Sequence, residues 1–145
     1  MLTQGLSLAA FVLLCLTACS QDSGATLSAP DAYARAEAGK LTLIDVRHAD
    51  EWRQTGVAKG ALHIDMTSTQ GEAGFVRQVT RSVGGNLRTP IGLLSLAGNR
   101  AGNARDALRA AGFAEVYVIQ EGMQGNGHGP GWIERGLPME PCPDC

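Results

Sequence analysis

The central part of this chain contains no cysteine. All four cysteines lie near the ends of the 145 residues, at Cys15, Cys19, Cys142 and Cys145. A domain formed by residues 20–141 has no thiol of its own, which excludes chemistry that begins with a thiolate inside it. Any thiol chemistry has to come from the ends of the chain.

The sequence also lacks a basic excess and has few aromatic residues. It carries 12 Lys and Arg against 14 Asp and Glu, a net charge of −2, so we expect no nucleic-acid partner. Aromatic residues make up 5%, while there are 19 glycines, which fits small helices packed closely on a sheet. The length allows one domain with a single core.

The first nineteen residues contain no charged side chain. The apolar run Leu6–Ala18 is too short to span a bilayer comfortably but suits the core of a secretory signal. We therefore predict a signal peptide over residues 1–18. Export would place the mature protein in an oxidising compartment.

The apolar run ends in Leu-Thr-Ala-Cys at residues 16–19, which resembles the bacterial lipobox. The resemblance implies that Cys19 is lipidated and that residues 19–29 form the lipid attachment and a tether to the membrane. Ser20 after the cysteine implies sorting to the outer membrane, with the domain facing the periplasm. The alternative is an ordinary signal peptide cut near Ala18 or Ala25, which would give a soluble periplasmic or secreted protein.

Strand and helix patterns alternate along the rest of the chain. Apolar stretches predict strands at residues 41–46, 61–64, 91–94 and 116–119, and helices are predicted at 28–39, 49–55, around 75–79 and 103–111. This alternation indicates an α/β fold with a parallel sheet. A ligand site is then expected at the carboxyl ends of the strands.

Residues 90–100 combine a strand, a tight loop and a helix start around Ser95. Backbone N–H groups, the helix dipole and the charge of Arg100 would converge on one point, so the loop is predicted to bind an anion. The proposed anion-binding loop consists of Leu96, Ala97, Gly98, Asn99 and Arg100.

Three blocks of sequence resemble the rhodanese-like domain family. The first block is Leu43–Arg47 with Glu51-Trp52, Gly56 and Gly60-Ala61. The second block is Pro90-Ile91 with residues 98–100, 107–108 and 111–113. The third block is residues 121–123 with Trp132 and residues 136–138. The resemblance implies a rhodanese-like domain over residues 30–138, with a central parallel sheet flanked by helices on both faces. A Cys-x-x-Cys tail at 139–145 follows it.

The resemblance places Ser95 where active sulfurtransferases of this family carry the nucleophilic cysteine. A serine oxygen stays protonated where a thiol would ionise, and it cannot form the S–S bond that stores the sulfur. Leu96 also stands where Arg or Lys is common, so the loop is less cationic. We therefore predict a non-catalytic oxyanion-binding or interaction module of the bacterial cell envelope. A loop that has no ligand is the equal alternative.

A serine hydrolase is a weaker interpretation of Ser95. It would need a histidine base, and of His48, His63 and His128 only His128 lies in a loop expected near the site. The residues around Ser95 do not match a nucleophile elbow.

Three charged residues near the end of the first long strand are predicted to be structural. Asp45 and Arg47 can form a charge-assisted pair that holds the following loop, and Glu51 is a second possible partner for Arg47.

Cys142 and Cys145 form a Cys-x-x-Cys pair on a proline-rich tail. A disulfide is the leading interpretation. A redox couple or a sulfur relay is the alternative, and it would make the protein an active sulfur-handling enzyme. A metal site would need His128 as a third ligand, so neither a metal nor another cofactor is predicted.

Overall fold

A computed structural model describes residues 25–145. The predicted signal peptide and Cys19 therefore lie outside the described residues. Within the described part of the chain, no helix is long and apolar enough to cross a membrane.

Seven strands and four helices make up the described fold. The strands are β1 (Thr26–Leu27), β2 (Thr42–Asp45), β3 (Val57–Ala58), β4 (Leu62–His63), β5 (Ile91–Leu94), β6 (Val116–Ile119) and β7 (Met139–Glu140). The helices are α1 (Ala29–Glu37), α2 (Ala49–Thr55), α3 (Gly71–Ser82) and α4 (Asn99–Ala110).

Five of the strands form one parallel sheet in the order β1-β6-β5-β2-β4. The predicted α/β fold with a central parallel sheet is thereby confirmed. Within the register, Asp45 of β2 lies opposite Leu94 of β5 on one side and His63 of β4 on the other. The carboxyl ends of these three strands consequently meet at one edge.

The sheet carries a separate apolar core on each face. One core joins α3 and α4 to the strands, through buried side chains such as Phe75 and Leu108. The other joins α1 and the segment around Trp132 to the opposite face, through Ala32 and Leu94. Helices therefore cover both faces, as predicted.

The helix ends follow local sequence signals. Ser28 precedes α1, and its Oγ accepts the N–H of Asp31 at 3.3 Å, which satisfies one of the donors left over in the first turn. Pro30 lies in that first turn, where the missing N–H costs nothing. The helix α2 occupies the predicted range and ends at Thr55, with Gly56 as its C-terminal cap.

Three short elements depart from the sequence prediction. Thr26 and Leu27, placed in the tether, form the edge strand β1 beside β6. β6 is not the last strand, because β7 follows it and pairs antiparallel with β3. The three unpredicted strands β1, β3 and β7 have two residues each and show no periodic pattern, so the sequence offered no signal for them.

The helix α4 begins one turn earlier than predicted, at Asn99 instead of residue 103. Gly98 adopts the left-handed conformation with φ of 95°, which turns the chain directly from the loop into the helix. Asn99 and Arg100 of the predicted loop therefore belong to the first turn of α4.

Candidate functional site

Ser95 lies immediately after β5 and is 1% exposed. Its Oγ accepts the N–H of Gly98 at 3.0 Å, so the side chain closes the loop that leads into α4. Gly98 could not be replaced freely, because a Cβ there would lie 3.1 Å from the Gln120 carbonyl oxygen. The hydroxyl thus occupies the centre of a tight strand–loop–helix turn.

Several backbone N–H groups border this turn. Among the described residues, no acceptor is found for the amides of Leu96, Ala97, Asn99 and Arg100. The last two belong to the first turn of α4, where helix geometry provides no internal partner. A cavity of about 270 Å³ is lined by Ser95 and the same four residues. The loop thus offers donors, and the positive end of a helix dipole, beside an open space.

Arg100 binds Glu51 in a bidentate ion pair. Arg100 Nη1 donates to Glu51 Oε2 and Nη2 donates to Oε1, each at 2.6 Å. The Arg100 guanidinium lowers the pKa of the Glu51 carboxyl to about 2, and a hydrogen bond from the His48 N–H acts in the same direction. Glu51 in turn raises the pKa of Arg100. The full positive charge expected at the loop is therefore balanced by Glu51.

Asp45 and Arg47 form a fully buried ion pair, as the sequence suggested. Arg47 Nη2 donates to Asp45 Oδ2 at 2.7 Å, and Nε lies 3.0 Å from both carboxylate oxygens. The remaining guanidinium donors reach Thr55 Oγ1 and the Gly56 carbonyl oxygen, each at 2.8 Å. The pair therefore fastens the carboxyl end of α2 to the end of β2. Glu51 contacts Arg100 instead of Arg47.

A second loop, after β6, supports the Ser95 loop through its backbone. Met123 N–H donates to the Ser95 carbonyl oxygen at 2.9 Å, and Gln124 N–H donates to that of Leu96 at 3.0 Å. The side-chain amide of Asn126 donates to the Ala97 carbonyl oxygen at 2.9 Å. These residues were not predicted as part of the site. The Glu-Gly-Met block at 121–123, part of the family resemblance, was the available signal.

No histidine of the described residues contacts Ser95. His48 bonds Asp65 at 3.1 Å, and His63 lies beside the two tail cysteines. His128, the residue expected near the site, lines a different cavity of about 780 Å³, together with Gly98 and Asn126. None of the described histidines is therefore placed to act as the general base for a Ser95 nucleophile.

The Cys-x-x-Cys tail is docked on the domain. Cys142 and Cys145 are joined by a disulfide. Pairing of β7 with β3 holds the tail on one side, and Arg53 Nη1 donates to the Cys145 carbonyl oxygen at 2.5 Å on the other. His63 Nδ1 lies 3.9 Å from Cys142 Sγ and 3.6 Å from Cys145 Sγ. The histidine beside the cysteines is therefore His63, not His128.

Comparison with known families identifies the family to which this strand–loop–helix site belongs. The family model described as the rhodanese-like domain matches residues 28–126, which cover four of the five strands of the parallel sheet, the Ser95 loop and its supporting loop. The chain belongs to the rhodanese-like family. This match confirms the resemblance to the rhodanese-like family, and it includes the first two sequence blocks and residues 121–123 of the third.

Solved structures of other proteins share the fold. A polysulfide-sulfur transferase homodimer from Wolinella succinogenes is 29% identical and has a TM-score of 0.62, with 81% of this chain and 78% of that chain covered. The crystal structure of Rv0390 from M. tuberculosis is 22% identical and has a TM-score of 0.66, with 82% and 98% covered. The similarity to Rv0390 indicates a shared fold alone.

Among curated sequences, the chain is similar to uncharacterized rickettsial proteins. RP600 of Rickettsia prowazekii (strain Madrid E) is 28% identical over 104 residues, which cover 68% of this chain and 81% of the relative. RC0915 of Rickettsia conorii is also 28% identical, over the same shares.

Proposed function

We propose that this rhodanese-like domain binds a small oxyanion at the Ser95 loop and does not transfer sulfur through it. The observation that carries the proposal is the position of Ser95 Oγ, which stands at the centre of the loop with the Gly98 N–H as its donor. The backbone of the loop has a conformation suited to binding an anion, whereas the atom at the position of the persulfide-forming sulfur is the oxygen Ser95 Oγ.

The chemistry of the hydroxyl supports the absence of sulfur transfer. Thiols ionise near pH 8.5, and nearby N–H dipoles or cations can bring that pKa close to neutrality. A serine hydroxyl starts far above this range, so the same surroundings leave it protonated. Even an ionised serine oxygen could not store sulfane sulfur as an S–S bond. A protonated Ser95 can instead donate a hydrogen bond to an anion.

The electrostatics support a weakly held anion. The backbone donors of Leu96 and Ala97 and the first turn of α4 favour negative charge. Glu51 already neutralises Arg100, so the guanidinium adds little net attraction. Binding should therefore depend on hydrogen bonds more than on charge, and we expect millimolar affinity for sulfate or phosphate.

A sulfate titration of the isotope-labelled protein, followed by NMR, tests this proposal. We expect saturable shifts of the backbone amides of residues 96–100, with smaller changes elsewhere, and weaker binding in an Arg100→Ala variant. Chloride at matched ionic strength is the control. The alternative of a loop without a ligand would be supported by shifts that do not saturate or that chloride reproduces.

We further propose that the domain is attached to the bacterial cell envelope through Cys19, facing the periplasm. The support is the lipobox-like sequence at 16–19 after an apolar run. Palmitate labelling of the expressed chain tests it. Labelling lost in a Cys19→Ser variant would support the anchor, and unchanged labelling would exclude Cys19.

A second candidate function is sulfur transfer by the tail cysteines. It is favoured by the contact of His63 with both sulfur atoms, since a neighbouring imidazolium stabilises a thiolate. The docked tail argues against a swinging arm that visits Ser95. Incubation with thiosulfate and cyanide distinguishes the candidates. Thiocyanate formation that persists in Ser95→Ala and disappears in the Cys142→Ser/Cys145→Ser variant would favour the tail.

A further inference from the structure

We propose that His63, Cys142 and Cys145 form a binding site for a thiophilic metal cation of the Zn²⁺ class when the two cysteines are reduced. One ligand atom from each residue, His63 Nδ1 and the two Sγ atoms, lies within 4.8 Å of the others. The site is distinct from the Ser95 loop and does not depend on the function proposed for it.

The nitrogen–sulfur distances fit tetrahedral coordination. With Zn–S near 2.3 Å and Zn–N near 2.1 Å, tetrahedral angles place a nitrogen and a sulfur ligand about 3.6 Å apart. His63 Nδ1 lies 3.6 Å from Cys145 Sγ and 3.9 Å from Cys142 Sγ. The imidazole is therefore already placed beside both sulfur atoms, which have to move apart after reduction of the disulfide to share a cation with it.

Contacts outside the cluster hold the three ligand residues in place. His63 is held by β4, and its ring lies 5.5 Å from that of Trp52. The tail is held by β7 and by the bond from Arg53 to the Cys145 carbonyl oxygen. Ligands separated by 79 residues in sequence are therefore brought to one point by contacts outside the cluster. A preorganised set of this kind lowers the cost of binding.

The donor set selects the class of cation. Two thiolates and an imidazole suit Zn²⁺ or Cu⁺, whereas Mg²⁺ and Ca²⁺ prefer oxygen ligands. Three protein ligands leave a fourth tetrahedral position for water or another small ligand. His63 is exposed and both cysteines are partly exposed, so an ion can reach the site from solvent.

The disulfide makes the site dependent on redox state. A thiol reductant opens it by donating two electrons and two protons: two external thiols become a disulfide, and Cys142 and Cys145 become thiols. Binding of Zn²⁺ then releases the protons of both thiols to solvent and forms two Zn–S bonds and one Zn–N bond. The oxidised tail lacks thiolates, so it should not bind the cation.

The test uses the full chain carrying Cys15→Ser and Cys19→Ser, so that Cys142 and Cys145 are its remaining cysteines. After reduction and removal of the reductant without oxygen, Zn²⁺ is titrated in competition with a chromophoric chelator. Co²⁺ is titrated in parallel for its thiolate charge-transfer absorption. We expect one ion per reduced chain, the Co²⁺ absorption band, and no binding by the oxidised chain.

Variants distinguish Zn²⁺ binding by all three ligands from Zn²⁺ binding by the two cysteine thiols alone. We expect His63→Ala to weaken Zn²⁺ binding at least about tenfold, while His128→Ala has no effect and circular dichroism shows both folded. Substitution of both tail cysteines should abolish binding. The proposal would be overturned if the reduced chain bound Zn²⁺ no more tightly than the cysteine-free variant. Equal affinities of His63→Ala and His128→Ala would also overturn it.

Discussion

The Arg100 guanidinium donates one hydrogen bond to each carboxylate oxygen of Glu51, both at 2.6 Å. This pair joins the first turn of α4 to α2 and leaves little net charge beside the Ser95 loop. The positive charge that the sequence indicated at the loop is present, but it is already balanced. The pair therefore sets how strongly the loop attracts an anion.

Removing the acidic partner should strengthen anion binding. In Glu51→Gln the Arg100 charge is no longer neutralised, so we expect sulfate to bind about three- to tenfold more tightly, with a steeper dependence on ionic strength. The matched control is Glu37→Gln at the end of α1, which removes the same charge away from the loop. Equal sulfate affinities of the two variants in NMR titrations would contradict this role of Glu51.

The same ion pair should make stability depend on pH in the acidic range. The pKa of Glu51 falls from 4.5 to about 2 on folding, so its stabilising contribution is complete above about pH 5 and is lost as pH falls toward 2. Since both side chains remain partly in water, we expect Glu51→Gln to cost about 1–2 kcal/mol at neutral pH. Urea unfolding of both proteins should show this difference shrinking as the pH is lowered. A difference that stayed constant with pH would rule out Glu51 as its source.

Gly122 should be required for support of the Ser95 loop. A Cβ at this position would lie 2.6 Å from the Leu96 carbonyl oxygen and 2.7 Å from that of Ser95, and φ is 66°. We expect Gly122→Ala to lower the free energy of unfolding by about 2–4 kcal/mol and to shift the loop amides in NMR spectra. Gly60→Ala is the control, because its φ is 75° and no atom lies within 4 Å. Equal losses in the two variants would mean that backbone strain alone explains the effect.

The buried pair of Asp45 and Arg47 should dominate the stability of this edge of the sheet. Asp45→Ala leaves the fully buried Arg47 guanidinium without its carboxylate, for which we expect a loss of about 3–5 kcal/mol. Asp106→Ala breaks an exposed pair with Arg105 and should cost less than about 1 kcal/mol. Thermal and urea unfolding measure both. A small loss for Asp45→Ala would show that water reaches Arg47.

The sequence was most informative where pattern and local chemistry agree. The ranges of α2, β5 and β6 match the prediction, because capping residues and apolar runs mark them locally. The Asp45–Arg47 pair could also be predicted from the sequence, since the two residues are close in sequence at the end of a strand. Ser95 stood out for the same reason, as a polar residue between a strand and a helix.

The remaining features depend on contacts between distant segments. Glu51 and Arg100 are 49 residues apart, and His63 and Cys142 are 79 apart, so no local pattern links them. The support of the Ser95 loop by Met123 and Gln124 uses backbone groups, which carry no side-chain signature. The position of His128 in its loop predicted a place near Ser95, whereas the fold places His128 at another cavity.

The most direct test of the central claim is to restore sulfur chemistry at position 95. In a chain whose four native cysteines are replaced by serine, Ser95→Cys is incubated with thiosulfate, and the tryptic peptide 89–100 is analysed by mass spectrometry. We expect the added mass of one sulfur atom on this peptide and thiocyanate on addition of cyanide, with neither in the parent chain or in a Ser82→Cys control on the exposed side of α3. Thiocyanate production by the parent chain with Ser95 intact, or a Ser95→Cys peptide that remains unmodified, would contradict the account.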